Sequence, residues 1–474
     1  MTFLKDIDPD LFRLIRKAGQ EHVLTWWDVL SRDERDGLIS QLRSIDFDWL
    51  NEVRELVMVA KDASEITDAL RPVFPISIPK SEEEIARAVK AKQTGEAFIH
   101  SGKLAAFVVA GGQGSRLGYP GPKGEFPIGP VSGKSLFQLF AEKIKAAMKK
   151  YEVEIPWVIM TSHTTHEPTQ AFFQSHQFFN LNPETCYFVQ QAMLPALDEQ
   201  GNLMLDAKGH LFTNPNGHGG MYSALYSGGV LSELEARGIE VLSYFQVDNP
   251  LIRIVDPLFV GYHVQQHSEM SSKMVRKAYP EEKVGVFGSI RNEVKVIEYN
   301  HMSEEEMLLR NSDGHLQYDA ANVAIHLINL DFVRIVMEKK LRFPCHLAHK
   351  IIPFLADSGE WIKPKKPNGY KFESFVFDAL PHAKNAAVME VDRKEEFSPV
   401  KNKTGKDSPE TAKKAMTAYF GSWLESAGYT LPKKESGEVA IPIEIGPLYA
   451  DTKEDFLEKI PDRLSFQDSI YLDE

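Results

Sequence analysis

Residues 104–133, LAAFVVAGGQGSRLGYPGPKGEFPIGPVSG, form the segment that best predicts the fold of this chain. The segment opens on an unbroken apolar run from Leu104 to Ala110, which is typical of a strand buried on both faces of a parallel sheet. A polar loop rich in glycine follows. A helix is predicted to begin near Ser135, because Ser135 and Gln138 have the spacing of a capping box. Strand, glycine loop and helix in this order predict a turn that binds a nucleotide through its phosphates.

The loop has a composition suited to phosphate groups. Its glycines and cations are Gly111, Gly112, Gly114, Gly118, Gly121, Gly124, Arg116 and Lys123. Without Cβ atoms the backbone can approach a bulky anion and point its N–H groups at phosphate oxygens, while the cations balance the charge. Two common nucleotide motifs do not fit. Leu117 occupies the third glycine position of a GxGxxG frame, and GPVSGKS at 129–135 is one residue short of a P-loop and follows no strand.

Composition excludes several classes of protein. The 474 residues include 54 basic and 67 acidic side chains, a net charge of −13, so we expect no nucleic-acid or membrane partner and only a local basic site for a polyphosphate. The amino terminus lacks the apolar core of a signal peptide, and no apolar run approaches the ~18 residues of a membrane span. Cys186 and Cys345 lie far apart and predict reduced thiols. The chain is therefore expected to be cytoplasmic.

The order of the predicted elements indicates an α/β protein with three consecutive domains. Residues 1–100 are predicted to form a helical domain, residues 101–385 a nucleotide-binding domain and residues 386–474 a small carboxy-terminal domain. Further strands are predicted within the central domain at 157–160, 187–190, 241–247, 284–290 and 323–328. In such sheets ligands bind at the carboxyl ends of the strands, so functional residues should follow strands directly.

Several polar residues meet this expectation. Gln191 closes a strand, and its amide offers the donor and acceptor that would match uracil, although a plain strand end explains it equally well. Asp248 follows an apolar strand and could hold Mg²⁺ against phosphate oxygens, or could instead cap a turn with Asn249. Gly217 lies in a second glycine loop that opens into a helix, and His218 is part of this loop.

A sugar pocket is a weaker expectation from the residues alone. Carboxylate and amide side chains can pair with vicinal hydroxyls, and the candidates near later strands are Gly285, Glu298 and Asn322. Phe375 and Phe377 are predicted on one face of a strand, a pattern that more often indicates core than a ligand wall. Lys401 stands in an acidic neighbourhood, where a lysine usually faces solvent.

Eight blocks in order resemble the eukaryotic-type UDP-N-acetylhexosamine pyrophosphorylase family, within the larger UTP:sugar-1-phosphate uridylyltransferase group. The blocks are AGQEH at 18–22, GGQGSRLG with PKG at 111–124, QQxMLPA at 190–196, GxGGxY at 217–222, VDN at 247–249, DGxLxxxAxN at 313–322, KPNGxK with FVFD at 366–378, and EFSPxKN at 396–402. The resemblance implies a Rossmann-like nucleotide-diphospho-sugar transferase domain with a mixed, mostly parallel sheet. It also implies a flanking helical amino-terminal domain and a small α+β carboxy-terminal domain.

The resemblance also implies a role for each matching residue, with UTP and a sugar 1-phosphate as substrates and Mg²⁺ as cofactor. The uridine would be held by Gly111, Gly112, Gln191 and Gly217, the phosphates by Arg116, Lys123 and Lys401, the magnesium by Asp248, and the sugar by His218, Gly285, Glu298, Asn322, Phe375 and Phe377. The implied activity is transfer of a uridylyl group, with N-acetylglucosamine 1-phosphate as the acceptor.

Two positions depart from the family pattern. His218 stands where the family usually has Asn, and a GHG loop is a feature of the UDP-glucose branch. Asp319 stands where the N-acetylhexosamine enzymes tend to have Asn. These departures keep glucose 1-phosphate and galactose 1-phosphate open as alternative acceptors. A non-catalytic UDP-sugar-binding protein on the same fold is the alternative of a different class, because fold does not fix function.

Overall fold

The computed structural model describes residues 7–59, 70–460, 464 and 468–474. The chain packs into two compact units, each of which is discontinuous in sequence. The smaller unit comprises Met1–Thr67, Gln191–Gly220 and Arg342–Asp378, and the larger comprises Asp68–Gln190, Met221–Leu341 and Ala379–Glu474. This division follows a different course from the three consecutive segments 1–100, 101–385 and 386–474, which remain a prediction. Part of the first segment lies outside the described residues.

A mixed ten-stranded sheet forms the centre of the larger unit, within the residues that the structure describes. Its strands, β1 to β10 in chain order, are Arg71–Pro72, Leu104–Val109, Trp157–Thr161, Cys186–Gln190, Val241–Gln246, Met270–Arg276, Val286–Ile290, Glu293–Ile297, Ala320–Asn329 and Ala387–Glu390. The order across the sheet is β1-β7-β9-β5-β2-β3-β4, with β8 beside β7 and with β6 joined to both β9 and β10.

The strands that precede the phosphate-binding candidates run parallel. β5 pairs with β2, β2 with β3, and β3 with β4, all in parallel register. β9 is antiparallel to β5 and to β6. The carboxyl ends of β2 and β5, which lead to the glycine loop and to Asp248, therefore lie at the same edge of the sheet.

Apolar runs and capped helices explain these elements. Val, Phe and Ala fill β2, which is buried along most of its length, and the Ser135 side chain accepts a hydrogen bond from the Gln138 N–H at the start of the following helix. The α-helices of this unit are Glu82–His100, Leu136–Tyr151, His166–Ser175, Met221–Ser227, Val230–Ala236, Pro257–Gln265, Glu304–Leu308, Leu330–Glu338, Arg393–Glu396, Pro409–Ser426 and Lys453–Glu458. One large apolar core joins several of these helices to the sheet. A parallel pair of short strands, Ile443–Ile445 and Ile470–Leu472, belongs to a separate small core.

The smaller unit is built from helices and short strands around its own core. Its α-helices are Pro9–Lys17, Arg32–Ser44 and Phe47–Val59. Its three-stranded sheet has the order His346–Lys350, Gly369–Glu373 and Leu197–Asp198, and its two-stranded pairs are Phe354–Leu355 with Trp361–Ile362, Met193–Pro195 with Thr213–Pro215, and Leu205–Ala207 with His210–Leu211. Among the residues that the structure describes, the 3-10 helices of both units are Glu21–Leu24, Trp27–Val29, Gly114–Leu117, Lys123–Glu125, Gln177–Asn180, Pro183–Thr185, His218–Gly220, Tyr299–His301 and Val376–His382.

The predicted α/β fold is confirmed, and the predicted strands are found with ends shifted by a few residues. One local prediction is wrong. Phe375 and Phe377 do not share a strand face, because the strand Gly369–Glu373 ends before them and Phe377 lies in a 3-10 helix. No helix of the described part of the chain combines the length and apolarity that crossing a bilayer requires.

Acid should lower the stability of the larger unit because it contains the buried His263. Its Nδ1 lies 2.7 Å from Ser271 Oγ and its Nε2 lies 2.7 Å from Asn329 Oδ1, and burial lowers the pKa of His263 to about 4. Between pH ~6.5, the ordinary pKa of histidine, and pH ~4, His263 is protonated in the unfolded chain but stays neutral in the folded chain. The free energy of unfolding therefore has its full value above pH ~6.5 and falls as the pH is lowered towards ~4.

The expected loss can be measured against His263→Gln, which has no titrating imidazole. Between pH 7 and pH 4.5 the free energy of unfolding of the wild type should fall by about 2 kcal/mol more than that of the variant. Urea titrations of both proteins at the two pH values measure this difference. An equal fall in both proteins would show that His263 does not resist protonation in the folded state.

Candidate active site

The glycine loop folds back on itself after β2. The Gly114 N–H donates to the Gly121 carbonyl at 2.8 Å, and the Lys123 N–H donates to the Gly112 carbonyl at 3.0 Å. Lys123 therefore returns beside Gly112, where a Cβ would lie 3.8 Å from the lysine Cε. Gly111 immediately precedes this contact. The predicted phosphate loop thus places one of its cations against its own first glycines.

Arg116 occupies the exposed outer turn of the loop. It lies in the 3-10 helix Gly114–Leu117, which ends at Gly118 with a φ of +76°. The Lys403 side chain approaches this glycine, since a Cβ at Gly118 would lie 3.4 Å from the lysine Nζ. Lys403, two residues after Lys401, thus lies beside the turn that carries Arg116.

Asp248 follows β5 as predicted and lies against Lys123. The Lys123 Nζ is 3.8 Å from Asp248 Oδ2, and both side chains are mostly buried, with 16% and 14% of their surface exposed. The Val400 N–H donates to the Asp248 carbonyl at 2.8 Å, and Lys401 is the next residue. The larger unit therefore brings Lys123, Asp248 and the Lys401 segment together at the end of β5.

Asn249, which the sequence suggested only as a turn cap, joins the turn after β5 to the segment before Lys401. Its Nδ2 donates to the Glu396 carbonyl at 2.6 Å, and its Oδ1 accepts from the Ser398 N–H at 3.1 Å. The alternative in which Asp248 and Asn249 merely cap a turn does not account for these long-range bonds. The VDN and EFSPxKN blocks are about 150 residues apart in the sequence. No local pattern therefore predicts the contact of Asn249 with Glu396 and Ser398, and the only hint was that both blocks occur in the same chain.

A single carboxylate at this position fits Mg²⁺. No group of three or more His, Cys, Asp or Glu side chains forms a metal cage among the described residues. Mg²⁺ at nucleotide sites usually takes one or two protein carboxylates and completes its shell with substrate phosphates and water. The partly exposed Asp248, beside a lysine and a glycine loop, meets that description.

The predicted sugar residues of the larger unit form a second group. The Asn322 N–H donates to the Gly285 carbonyl at 2.9 Å, and a Cβ at Gly285 would lie 3.0 Å from Glu298 Oε1. Asn322 Oδ1 accepts from the N–H of Ala324, whose φ is +54°. These three residues, which are far apart in sequence, lie together as a sugar pocket would require.

The side chain of Asp319 pairs with Arg276 rather than with the residues of this group. Both of its carboxylate oxygens accept hydrogen bonds from Arg276, at 2.9 and 2.8 Å, and Arg276 also donates to both carboxylate oxygens of Glu390. The negative charge of Asp319 is therefore balanced by a neighbouring strand. This pairing weakens the interpretation that Asp319 alters the preference for the sugar.

In the smaller unit the second glycine loop holds Gln191. The Gln191 Nε2 donates to the Gly217 carbonyl at 2.8 Å. Gly217 has a φ of +81°, and a Cβ there would lie 2.4 Å from the Ser374 carbonyl oxygen, so only glycine fits this position. The carbonyl oxygen of Ser374 accepts a hydrogen bond from the Gly219 N–H at 2.9 Å. No sequence pattern had predicted that Ser374 contacts this loop.

His218 packs among aromatic rings of the same unit. Its ring stacks on Phe375 with centroids 5.1 Å apart and meets Phe377 edge-on at 5.7 Å. The Val376 N–H donates to His218 Nδ1 at 3.1 Å. Burial and the nearby His346 lower the pKa of His218 to about 3, so the ring is neutral at pH 7 and carries its proton on Nε2.

His346 packs against Phe375 of this aromatic group. Its ring lies 4.3 Å from that of Phe375, and its Nε2 lies 2.9 Å from Asp378 Oδ1. The Phe375 N–H donates to Asp378 Oδ2 at 2.7 Å. Phe375 and Phe377 are therefore adjacent, with ring centroids 5.0 Å apart, although they do not share a strand.

Comparison with known proteins identifies the family. Residues 53–465 match the family model described as UTP--glucose-1-phosphate uridylyltransferase. The chain belongs to this uridylyltransferase family. The membership predicted from the eight sequence blocks is thereby confirmed.

The uridylyltransferase family includes relatives that match nearly the whole chain. The human UDP-N-acetylhexosamine pyrophosphorylase-like protein 1 is 36% identical, covering 98% of this chain and 97% of its own length. UDP-N-acetylglucosamine diphosphorylase 2 of Arabidopsis thaliana is also 36% identical, over 92% of this chain and 89% of its own. The crystal structure of the uridine diphosphate N-acetylglucosamine pyrophosphorylase from Trypanosoma brucei, in complex with an inhibitor, superposes with a TM-score of 0.83 at 26% identity and 99% coverage of both chains.

Proposed function

We propose that this protein transfers the uridylyl group of UTP to N-acetylglucosamine 1-phosphate, forming UDP-N-acetylglucosamine and pyrophosphate. The observation that carries the proposal is the pair of Lys123 and Asp248, which lies between the glycine loop and the Lys401 segment. The names of the human and Arabidopsis relatives, which refer to N-acetylhexosamine and N-acetylglucosamine, support the choice of sugar.

The chemistry requires positioning and charge neutralisation more than proton transfer. An oxygen of the sugar 1-phosphate attacks the α-phosphorus of UTP, a new P–O bond forms in line, and the bond to the departing pyrophosphate breaks. The attacking phosphate is already largely dianionic near neutral pH, so no general base is needed. Negative charge accumulates on the α-phosphate and on pyrophosphate, which is where cations lower the barrier.

The residues of the larger unit suit this task. The N–H groups around Gly111 and Gly112 would hold phosphate oxygens, and Lys123 would neutralise charge at the α-phosphate. Arg116 and Lys401, both exposed in the structure, would contact the phosphates from the turn and from the carboxy-terminal segment. Asp248 would hold Mg²⁺, which supplies charge neutralisation on phosphate oxygens when it is bound.

Pyrophosphate release tests the proposal directly. UTP would be incubated with N-acetylglucosamine, N-acetylgalactosamine, glucose and galactose 1-phosphates in parallel, with and without Mg²⁺. We expect Mg²⁺-dependent release that is fastest with N-acetylglucosamine 1-phosphate. Binding of UDP-sugars without turnover in either direction would instead support the non-catalytic alternative.

One observation favours glucose or galactose 1-phosphate as a second candidate acceptor. The His218 imidazole is larger than an asparagine side chain, and its contacts with Phe375 and Val376 hold the ring in one orientation. A bulky, fixed group near C2 of the sugar would favour a hydroxyl over an acetamido group. The panel of four sugar phosphates separates these candidates.

His218→Asn should raise the ratio of N-acetylglucosaminyl to glucosyl transfer. The shorter amide can still accept a hydrogen bond from the Val376 N–H, but it leaves more room, and one small group in a pocket changes specificity by about 10-fold. Values of kcat/KM for both sugar phosphates measure the ratio. His349→Asn, at an exposed histidine of the same unit that pairs with Glu199, is the control. An unchanged ratio in His218→Asn would contradict the role of this residue.

A further inference from the structure

A buried lysine joins two segments of the larger unit behind the phosphate-binding residues. Lys273 lies on β6 and has no exposed side-chain surface. Its Nζ is 2.7 Å from Asp256 Oδ2 and 2.6 Å from Glu396 Oε2, and both carboxylates are almost fully buried. The proposed reaction gives no role to these three charged groups, and of the three only Glu396 belongs to a sequence block described above.

Both carboxylates belong to segments that carry predicted site residues. Asp256 closes the loop that starts at Asp248, and it also caps the helix Pro257–Gln265 by accepting from the Leu258 N–H. Glu396 opens the block that contains Lys401. Lys273 therefore connects the chain that follows Asp248 to the chain that precedes Lys401.

Neutral hydrogen bonds join the same two segments nearer the site. Asn249 donates to the Glu396 carbonyl, and the Val400 N–H donates to the Asp248 carbonyl. The Lys143 Nζ holds the turn from below by donating to the carbonyls of Pro250 and Ile252, at 2.8 and 2.7 Å. The ion triad of Lys273, Asp256 and Glu396 and these hydrogen bonds thus connect the same two segments.

Stability alone does not account for a buried triad. Removing three charged groups from water is energetically costly, and apolar side chains of similar volume often stabilise a core as well or better. Short charge-assisted hydrogen bonds, by contrast, fix the separation and angle of their partners. A device of this kind suits a place where two segments must keep one relative position.

We propose that Lys273 is a positioning residue that fixes the Asp248 turn and the Lys401 segment relative to each other for binding of Mg²⁺ and the phosphates. The inference rests on the proposed function, because it assigns Asp248 and Lys401 to the metal and the phosphates. Lys273 touches no substrate, so its loss should impair the phosphate end of the nucleotide and leave recognition of the base unchanged.

The test uses the double variant Lys273→Met/Glu396→Gln in the full-length protein. This pair removes one positive and one negative charge, keeps Asp256 as the helix cap with Arg253 as its remaining cation, and preserves side-chain volume. We expect its melting temperature to stay within about 5 °C of the wild type, its affinity for Mg²⁺·UTP to fall ~10-fold or more, and its affinity for uridine to stay unchanged. Calorimetric titrations with Mg²⁺·UTP and with uridine measure both affinities without requiring turnover.

Two further variants keep the outcome decisive. Ser271→Ala removes a buried hydroxyl from the same strand whose hydrogen-bond partner is His263 rather than a residue of either segment, and it should leave both affinities unchanged. Glu396→Gln alone keeps Lys273 paired with Asp256, so this variant tests the proposal if the double variant does not fold. It should weaken Mg²⁺·UTP binding several-fold.

The failures of the two proposals are distinguishable. A folded double variant, or a folded Glu396→Gln, with wild-type affinity for Mg²⁺·UTP would overturn the role of Lys273 while leaving the enzyme proposal intact. A wild-type protein that binds Mg²⁺·UTP but releases no pyrophosphate with any of the four sugar phosphates would overturn the proposed function. The binding data would still decide the role of Lys273 in that case.

Discussion

Lys123→Ala should lower the turnover number for pyrophosphate release by ~100-fold or more, as loss of one contact to the transition state typically does. The lysine Nζ lies beside Gly112 and 3.8 Å from Asp248, within a mostly buried position where an ammonium acts on a phosphate more strongly than it would in water. The KM for the sugar 1-phosphate should change less than kcat, because the charge develops during the reaction. Steady-state kinetics at saturating Mg²⁺ separates the two parameters.

A surface lysine provides the matched control for this prediction. Lys149 pairs with Glu474 at 3.1 Å and has 71% of its side chain exposed, so Lys149→Ala should leave turnover unchanged. Circular dichroism and thermal melting of both variants establish that they are folded. If a folded Lys123→Ala protein kept near-normal turnover, the assignment of Lys123 to the transition state would be wrong.

Asp248→Asn should have the second large effect, a loss of ~100-fold or more in kcat at ordinary Mg²⁺ concentration. The amide keeps the shape of the side chain but removes the charge that would hold the metal. The Mg²⁺ concentration that gives half-maximal rate should rise at the same time. A Mg²⁺ titration of the rate measures this shift, and a normal titration curve in the variant would contradict the metal assignment.

The two substitutions should not act independently. Because Lys123 and Asp248 face each other, removal of either leaves the other charge without its partner in a mostly buried place. The double variant Lys123→Ala/Asp248→Asn is therefore expected to lose less activity than the product of the two single losses. Fully multiplicative losses would indicate that the two side chains act at separate sites.

The sequence predicted the elements that local pattern determines. The apolar run of β2, the glycine loop and the helix after Ser135 are all where pattern and capping placed them, because each depends on neighbours in sequence. The end of β5 at Gln246, two residues before Asp248, lies within one residue of the predicted end for the same reason. The resemblance then identified candidates such as Gly285, Glu298 and Asn322 that spacing alone could not single out.

Long-range partners explain what local pattern could not predict. Phe375 and Phe377 alternate as a strand would, but the strand stops because the Ser374 N–H donates to Asn216 and the Phe375 N–H donates to Asp378. Lys273 looks like any lysine in a strand until Asp256 and Glu396 converge on it from two other segments. Bonds of this kind depend on the folded chain rather than on spacing in the sequence.

The shared guanidinium of Arg276 makes the order of evolutionary substitutions matter. If Asp319 becomes Asn first, Arg276 still has Glu390, so the intermediate protein retains an ion pair. If Arg276 is lost first, the carboxylates of Asp319 and Glu390 face each other without the cation between them, which is unfavourable. Related sequences should therefore combine a neutral residue at position 319 with either kind of residue at position 276, but should seldom combine Asp319 with an uncharged one.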